Sequence, residues 1–192
     1  MAEAEEVQEL GRQGVAEVKR WLEATTFLEL QWNAYENGPM CTLMHRAGRK
    51  KFDLVGNFIS EARQPIYVEA KKYSKDGGQH KEYRKFLAIA YSATARSIEE
   101  RGGDIGAEFI WITFNPFYIT GWKELATGAK IESALMEFPE LLGDKEIDFD
   151  LVRKVADRVW LLVLNEKQGQ ITMSFDELMK VFTVLDRKKT TL

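Results

Sequence analysis

The chain has 192 residues, 45% apolar and 30% charged, with a formal net charge of -3. That length suits one compact domain with a sizeable core, and the composition is ordinary for a globular protein. No apolar run reaches the length of a membrane-spanning helix, and the acidic start Met1-Ala2-Glu3-Ala4-Glu5-Glu6 is unlike a secretory signal. The lone Cys41 cannot form an internal disulfide. These features argue against a membrane partner and for a cytoplasmic location. One Cys and two His (His45 and His80) also argue against a structural zinc site.

Residues 5–24 read as an amphipathic helix, with Val7, Leu10, Gly14, Val18, Trp21 and Leu22 at helical spacing. Residues 27–35 alternate Leu28, Leu30 and Trp32 against Glu29, Gln31 and Asn33, a strand pattern. Asn37-Gly38-Pro39 is a turn. Residues 50–58 and 65–72 alternate again and read as a hairpin, joined through Ser60 and bounded by Pro65. In the first strand Phe52 and Leu54 fall on one side, Asp53 and Val55 on the other. Asp76-Gly77-Gly78 breaks the chain before a long helix over 79–101, which ends at Arg101-Gly102-Gly103. Residues 108–114 form a near-continuous apolar run, a buried strand. The five Trp fall in apolar stretches and read as core, and both His read as surface residues.

Residues 116–192 read as an extension of the same domain rather than a second one. Short helices are expected over 121–142 and near 148–155, with a strand over 159–164. Ser174 and Glu177 have capping-box spacing ahead of a helix over 175–185.

The chemistry concentrates in the hairpin. In Pro65-Ile66-Tyr67-Val68-Glu69-Ala70-Lys71, Glu69 and Lys71 share one face, roughly 7 Å apart along the strand. Asp53 lies on the neighbouring strand. Two carboxylates and an ammonium on adjacent strands suit a divalent-metal site for phosphodiester hydrolysis. Mg²⁺ is the expected ion, with Mn²⁺ as the alternative, on Asp53, Glu69 and the carbonyl of Ala70. Lys71 is expected to stay protonated between the carboxylates and to position the attacking water.

Asp53, a variable hairpin, then Glu69-x-Lys71 resembles the PD-(D/E)XK nuclease superfamily over residues 5–115. Phe52 replaces the Pro that precedes the Asp in that motif. The resemblance implies an α/β restriction-endonuclease-like core of helix, three strands, helix and strand, with a central mixed sheet flanked by helices. It implies a metal-dependent nuclease in which Asp53, Glu69 and Lys71 are catalytic. Some of its families add a carboxylate from the first helix. Here that would be Glu17, which lies on the stripe of Leu10, Gly14 and Trp21.

Charge distribution supports a nucleic-acid partner, DNA more than RNA. Residues 45–85 hold 11 Lys/Arg against 5 Asp/Glu, a local balance of +6 in an acidic chain. Arg49, Lys50, Lys51 and Lys72 belong to this cluster, as do Lys75 and Lys81. Phosphate binding needs such a local surface rather than a basic protein. Gln79 and Lys81 open the second helix, where a substrate phosphate would be favoured. A homodimer would suit cutting both strands of a duplex. The competing expectation is a non-catalytic nucleic-acid-binding or assembly module that keeps the fold.

Overall fold

The computed structural model describes residues 2–59, 62–73 and 78–184, with the backbone alone described at 2–7 and 119. Ser60, Lys75, Asp76, Gly77 and Leu185 lie outside the described residues. Five strands make a mixed sheet in the order β1-β4-β5-β6-β7. They are β1 (Leu28–Asn33), β4 (Leu54–Phe58), β5 (Pro65–Lys71), β6 (Glu108–Thr113) and β7 (Val159–Val163). β1, β4 and β5 pair antiparallel, whereas β5, β6 and β7 run parallel. The parallel connections are long enough to carry helices, as parallel pairing requires. A separate hairpin pairs β2 (Thr42–His45) with β3 (Gly48–Lys51).

The sheet buries both faces. On one, α1 (Ala2–Thr25) covers a core of Val15, Val18, Leu22, Leu54, Val68 and Ile110. On the other lie α2 (Gln79–Arg101), α3 (Gly128–Glu137) and α4 (Phe149–Ala156). They enclose Phe52, Phe86, Tyr91, Phe109, Trp111 and Leu135. The side chains of β5 alternate between these layers, Ile66 and Val68 toward α1 and Tyr67 toward α2. A last helix, α5 (Phe175–Val184), brings Leu178 and Phe182 against Ala24 and Ile59. No helix among the described residues is long and apolar enough to cross a membrane.

Local chemistry explains the boundaries. Asp148 caps α4 by accepting from the amides of Asp150 and Leu151. Ser174 and Glu177 exchange hydrogen bonds at the start of α5, the reciprocal arrangement their spacing predicts. The left-handed Gly102 (φ 69°) closes α2, its amide bonding to the Ile98 carbonyl. The long helix falls where periodicity puts it, and the apolar run read over 108–114 is the strand Glu108–Thr113. The strand at 159–163 extends the main sheet, so the C-terminal residues contribute directly to the central layer.

Three expectations need correction. Residues 50–58 are two strands of different sheets. The chain turns at Phe52 and Asp53, where the Phe52 amide bonds to Cys41 O and the Asp53 amide to Val68 O. The fully buried Phe52 ring drives the break, because it sits 5.3 Å from Tyr67 and 6.1 Å from Phe109 on the α2 side. Phe52 therefore shares a layer with Val55, and Leu54 faces α1. The β2–β3 hairpin accompanies this break and leaves no clear apolar alternation in the sequence. His45 is 7% exposed rather than a surface residue, since its hairpin lies against α2 and its carbonyl accepts from Arg96.

Gly56 marks the closest approach within the sheet. The register between β1 and β4 shifts between Glu29 and Trp32, and a Cβ at Gly56 would lie 1.8 Å from the Glu29 carbonyl oxygen. Only glycine admits that bulged strand. Gly56→Ala should lower unfolding free energy by about 3–5 kcal/mol, or prevent folding, as read by denaturant titration. An alanine variant of unchanged stability would contradict this packing.

Candidate active site

Asp53, Glu69 and Lys71 meet where β4 leaves the Phe52 turn beside the C-terminal half of β5. The Asp53 Oδ2 atom accepts a 2.8 Å hydrogen bond from the Ala70 amide. Glu69 and Lys71 point into the α2 layer. The Lys71 ammonium lies 2.9 Å from Glu69 Oε1 and 5.3 Å from the centroid of the Trp111 ring. Glu69 is 4% exposed, and its Oε2 atom is buried without a hydrogen-bond partner. An ionised carboxylate oxygen in that condition is costly unless a cation or donor reaches it.

Lys50 enters the same site from the small hairpin. Its ammonium donates to Glu69 Oε1 at 2.8 Å, so one carboxylate oxygen takes two ammonium groups. Lys50 owes this inward position to the alternation of β3, on which Arg49 and Lys51 are exposed. Arg49 and Lys51 line a basic groove with Gly38, Pro39 and Thr42. Glu82, from the first turn of α2, lies 3.1 Å from Lys71 and accepts from the Tyr73 hydroxyl at 2.8 Å.

Electrostatics separate Asp53, in the turn before β4, from Lys71 on β5. Burial and the neighbouring Glu69 carboxylate raise the Asp53 pKa to about 6, against the opposing pull of the Ala70 hydrogen bond and Lys71. For Lys71, burial works against the charge, but Glu69 outweighs it and holds the ammonium firmly protonated.

Other candidate residues take different places. Glu17 is bonded to Lys72 at 2.9 Å, and Lys72 also reaches Glu166 at 3.3 Å. This cluster belongs to the α1 side of the sheet, where Lys72 lies over Phe114. Gly14 makes room for it, because a Cβ there would lie 2.8 Å from Lys72 Cβ. The structure thus brings Glu17 to Lys72 and not to Glu69 and Lys71, which face α2. Ala70 offers Asp53 its amide. Gln79 is buried, with its amide nitrogen donating to Asn115 O at 3.1 Å and its Oε1 unpartnered. Lys81 is exposed on the first turn of α2. Among the described residues, no group of three or more His, Cys, Asp and Glu side chains is arranged to hold a metal ion. Asp53 and Glu69 stand as a pair.

Sequence reasoning missed Tyr73 and Glu82. Tyr73 carried a usable signal, since it continues the period of two from Glu69 and Lys71. Glu82 is three residues beyond Gln79 on α2, but only the docked helix shows which strand residue it meets. A cavity of about 700 Å³ lies elsewhere, between α1, β1 and α5, lined by Val15, Leu28 and Met179.

No protein-family model matches the chain, and no curated protein matches it. Among solved structures, the Moraxella osloensis Cap4 SAVED/CARF-domain containing receptor is similar over 95% of this chain, at 15% identity and a TM-score of 0.35. The chain spans 39% of that receptor's length. A likeness this distant carries no argument about fold or function.

The Asp53 shift has a consequence for stability. Between about pH 4 and 6 the folded protein keeps the Asp53 proton that the unfolded chain has already released. Its contribution to stability therefore falls as pH rises through that window. Asp53→Asn keeps an acceptor for the Ala70 amide and removes the charge. In EDTA at pH 7.5 it should be more stable than the wild type by about 2–3 kcal/mol, and the difference should vanish near pH 4. Thermal melts at the two pH values read this. A variant destabilised equally at both would contradict the assigned environment.

Proposed function

We propose that this chain is a divalent-metal-dependent nuclease that hydrolyses phosphodiester bonds in DNA. The observation that carries the reading is the pairing of Asp53 with Glu69, whose Oε2 atom is buried and unpartnered beside the protonated Lys71. Two mutually repelling carboxylates, one on β5 and one in the turn before β4, are an expensive arrangement without a cation to share. The residues fit Mg²⁺ or Mn²⁺, because these ions take oxygen ligands and use one or two carboxylates plus substrate phosphate. Asp53 and Glu69 would hold the ion. When bound, it would supply Lewis-acid stabilisation of the phosphoryl oxygens and lower the pKa of water.

The remaining roles fall to this chain's own side chains. Lys71 is too firmly protonated to take a proton, so it orients the attacking water and offsets negative charge at the phosphorus. Lys50 shares Glu69 Oε1 with Lys71 and is the second ammonium available to a phosphate oxygen. Arg49 and Lys51 hold the flanking phosphates of the strand. The restriction-endonuclease-like reading is supported by the order α1, β1, β4, β5, α2, β6 of the main-sheet elements and their helices, with the β2–β3 hairpin inserted after β1, and by the turn from antiparallel to parallel pairing at β5.

Cleavage of DNA, supplied as duplex plasmid and as single-stranded circles, with and without Mg²⁺ tests the proposal. Wild-type protein should cut in Mg²⁺ and not in EDTA, and Asp53→Asn or Glu69→Gln should abolish cutting with the fold intact. Lys71→Met should lower kcat by about 10²–10³-fold, the scale of one lost electrostatic stabiliser, and leave Mg²⁺ affinity within a few fold. The competing module without catalysis would retain DNA in EDTA and never cut it in Mg²⁺. Activity surviving in Glu69→Gln would remove the metal-site assignment.

Salt dependence tests the DNA-facing surface separately. Each phosphate contact adds about 0.9 to the slope of log affinity against log salt for duplex DNA. Arg49→Gln combined with Lys51→Gln should flatten the slope by about 1.8 and weaken binding across sequences. The exposed Lys154 and Lys180 serve as controls. Equal effects from both pairs would show that the hairpin does not face the substrate.

A further inference from the structure

Beside the first turn of α2, Tyr118 has an unusual setting. Its backbone is left-handed, with φ 50° and ψ 50°, a conformation that non-glycine residues adopt at a cost. The neighbouring Gly121 leaves space for the ring, since a Cβ there would lie 2.0 Å from Tyr118 Cε1. These features do not bury the side chain, which remains 50% exposed. They set the ring parallel to the His80 imidazole, with centroids 5.1 Å apart and planes 6° from parallel. Phe117 lies 6.0 Å from His80 and anchors the pair to the core through Tyr83 and Trp122.

Charge and position match this ledge to a nucleic acid. The Lys130 ammonium is 5.8 Å from the Tyr118 ring centroid, and Arg84 lies beside His80 with its partner Glu137. His80 shares the first turn of α2 with Glu82, which pairs with Lys71. Asn115, three residues before Tyr118, accepts from the Tyr73 amide and from Gln79. The ledge and the Asp53–Glu69 site are therefore fixed to the same turn of helix.

We propose that His80 and Tyr118 form a stacking platform for an unpaired nucleotide, so that the substrate is DNA with a single-stranded segment beside the cut. This rests on the nuclease reading and narrows it. A base inside a duplex has both faces covered by its neighbours, whereas an unpaired base offers a face to an aromatic ring. Stacking of that kind tolerates any sequence, and flanking cations suit the phosphates on either side.

Binding in EDTA separates recognition from cleavage. The probes are labelled oligo(dT), oligo(rU) of equal length and a hairpin duplex, read by fluorescence anisotropy. Tyr118→Asn removes the ring and keeps a residue that tolerates left-handed backbone. It should weaken oligo(dT) binding by about 10-fold and duplex binding far less. Tyr118→Trp should retain oligo(dT) affinity, and His80→Ala should show the same selective loss as Tyr118→Asn. A 2-aminopurine reporter should be quenched on binding to wild type and to Tyr118→Trp. If Tyr118→Asn lowers the melting temperature, the Trp and His80 variants carry the comparison.

Unchanged oligo(dT) affinity in the Asn and His80 variants would overturn the platform, as would equal losses for both DNA forms. Tighter binding of oligo(rU) than oligo(dT) would overturn the choice of DNA. Wild-type protein that bound neither form would end the platform and the nuclease reading together. Metal-dependent duplex cleavage with ring-independent oligo(dT) binding would end the platform alone.

Discussion

The buried carboxylate of Glu69 is the constraint around which the site is built. It is 4% exposed on the central sheet, with one oxygen on two ammonium groups and the other unpartnered. Breaking a buried charge pair by removing one partner costs several kcal/mol, so the groups around Glu69 depend on one another. Lys71 comes from the same strand, Lys50 from a separate hairpin, and Asp53 from the turn between the two sheets. The helix α2 completes the arrangement through Glu82. The β2–β3 hairpin, the break at Phe52 and the docking of α2 are thus linked to one carboxylate.

The two lysines after the motif show how a sheet sorts charge. Lys71 and Lys72 are adjacent in sequence, yet the period of two sends them to opposite layers. Lys71 meets Glu69 and Glu82 over Trp111, whereas Lys72 meets Glu17 and Glu166 over Phe114. The first set is a candidate for chemistry, because it includes a repelled carboxylate and an unpartnered oxygen. The second, one ammonium held by two carboxylates, fastens α1 to the C-terminal end of the central strand β5. Their difference lies in partners rather than residue types, since both are Lys–Glu contacts.

Much of the fold is legible in the sequence. The apolar periodicity of residues 79–101 and the unbroken apolar run at 108–114 place α2 and β6 directly, and the Glu69–Lys71 face follows from Ile66, Val68 and Ala70 alternating against it. The break at Asp53 was hidden because Phe52 and Leu54 fit an uninterrupted alternation. Only the aromatic cluster of Tyr67, Phe86 and Phe109 shows that Phe52 belongs to the other layer. Lys50 was visible as basic but not as a neighbour of Glu69, because its strand lies in a different sheet. Glu17, on the stripe of Leu10, Gly14 and Trp21, reads as a candidate metal carboxylate, and the structure pairs it with Lys72 instead. Which lysine it meets depends on the face of the sheet that the helix covers, a fact settled by packing and not by spacing.

In the proposed nuclease, Asp53 and Glu69 together bind one divalent cation. Crystals soaked in Mn²⁺ and measured at a wavelength where manganese scatters anomalously test it most directly. One peak should appear bonded to oxygens of both carboxylates, within about 2.0–2.2 Å, the range for a small hard cation of this kind. Lys50 should then have moved off Glu69. A map with no peak there, and with Lys50 and Lys71 still sharing Glu69 Oε1 at saturating Mn²⁺, would contradict it.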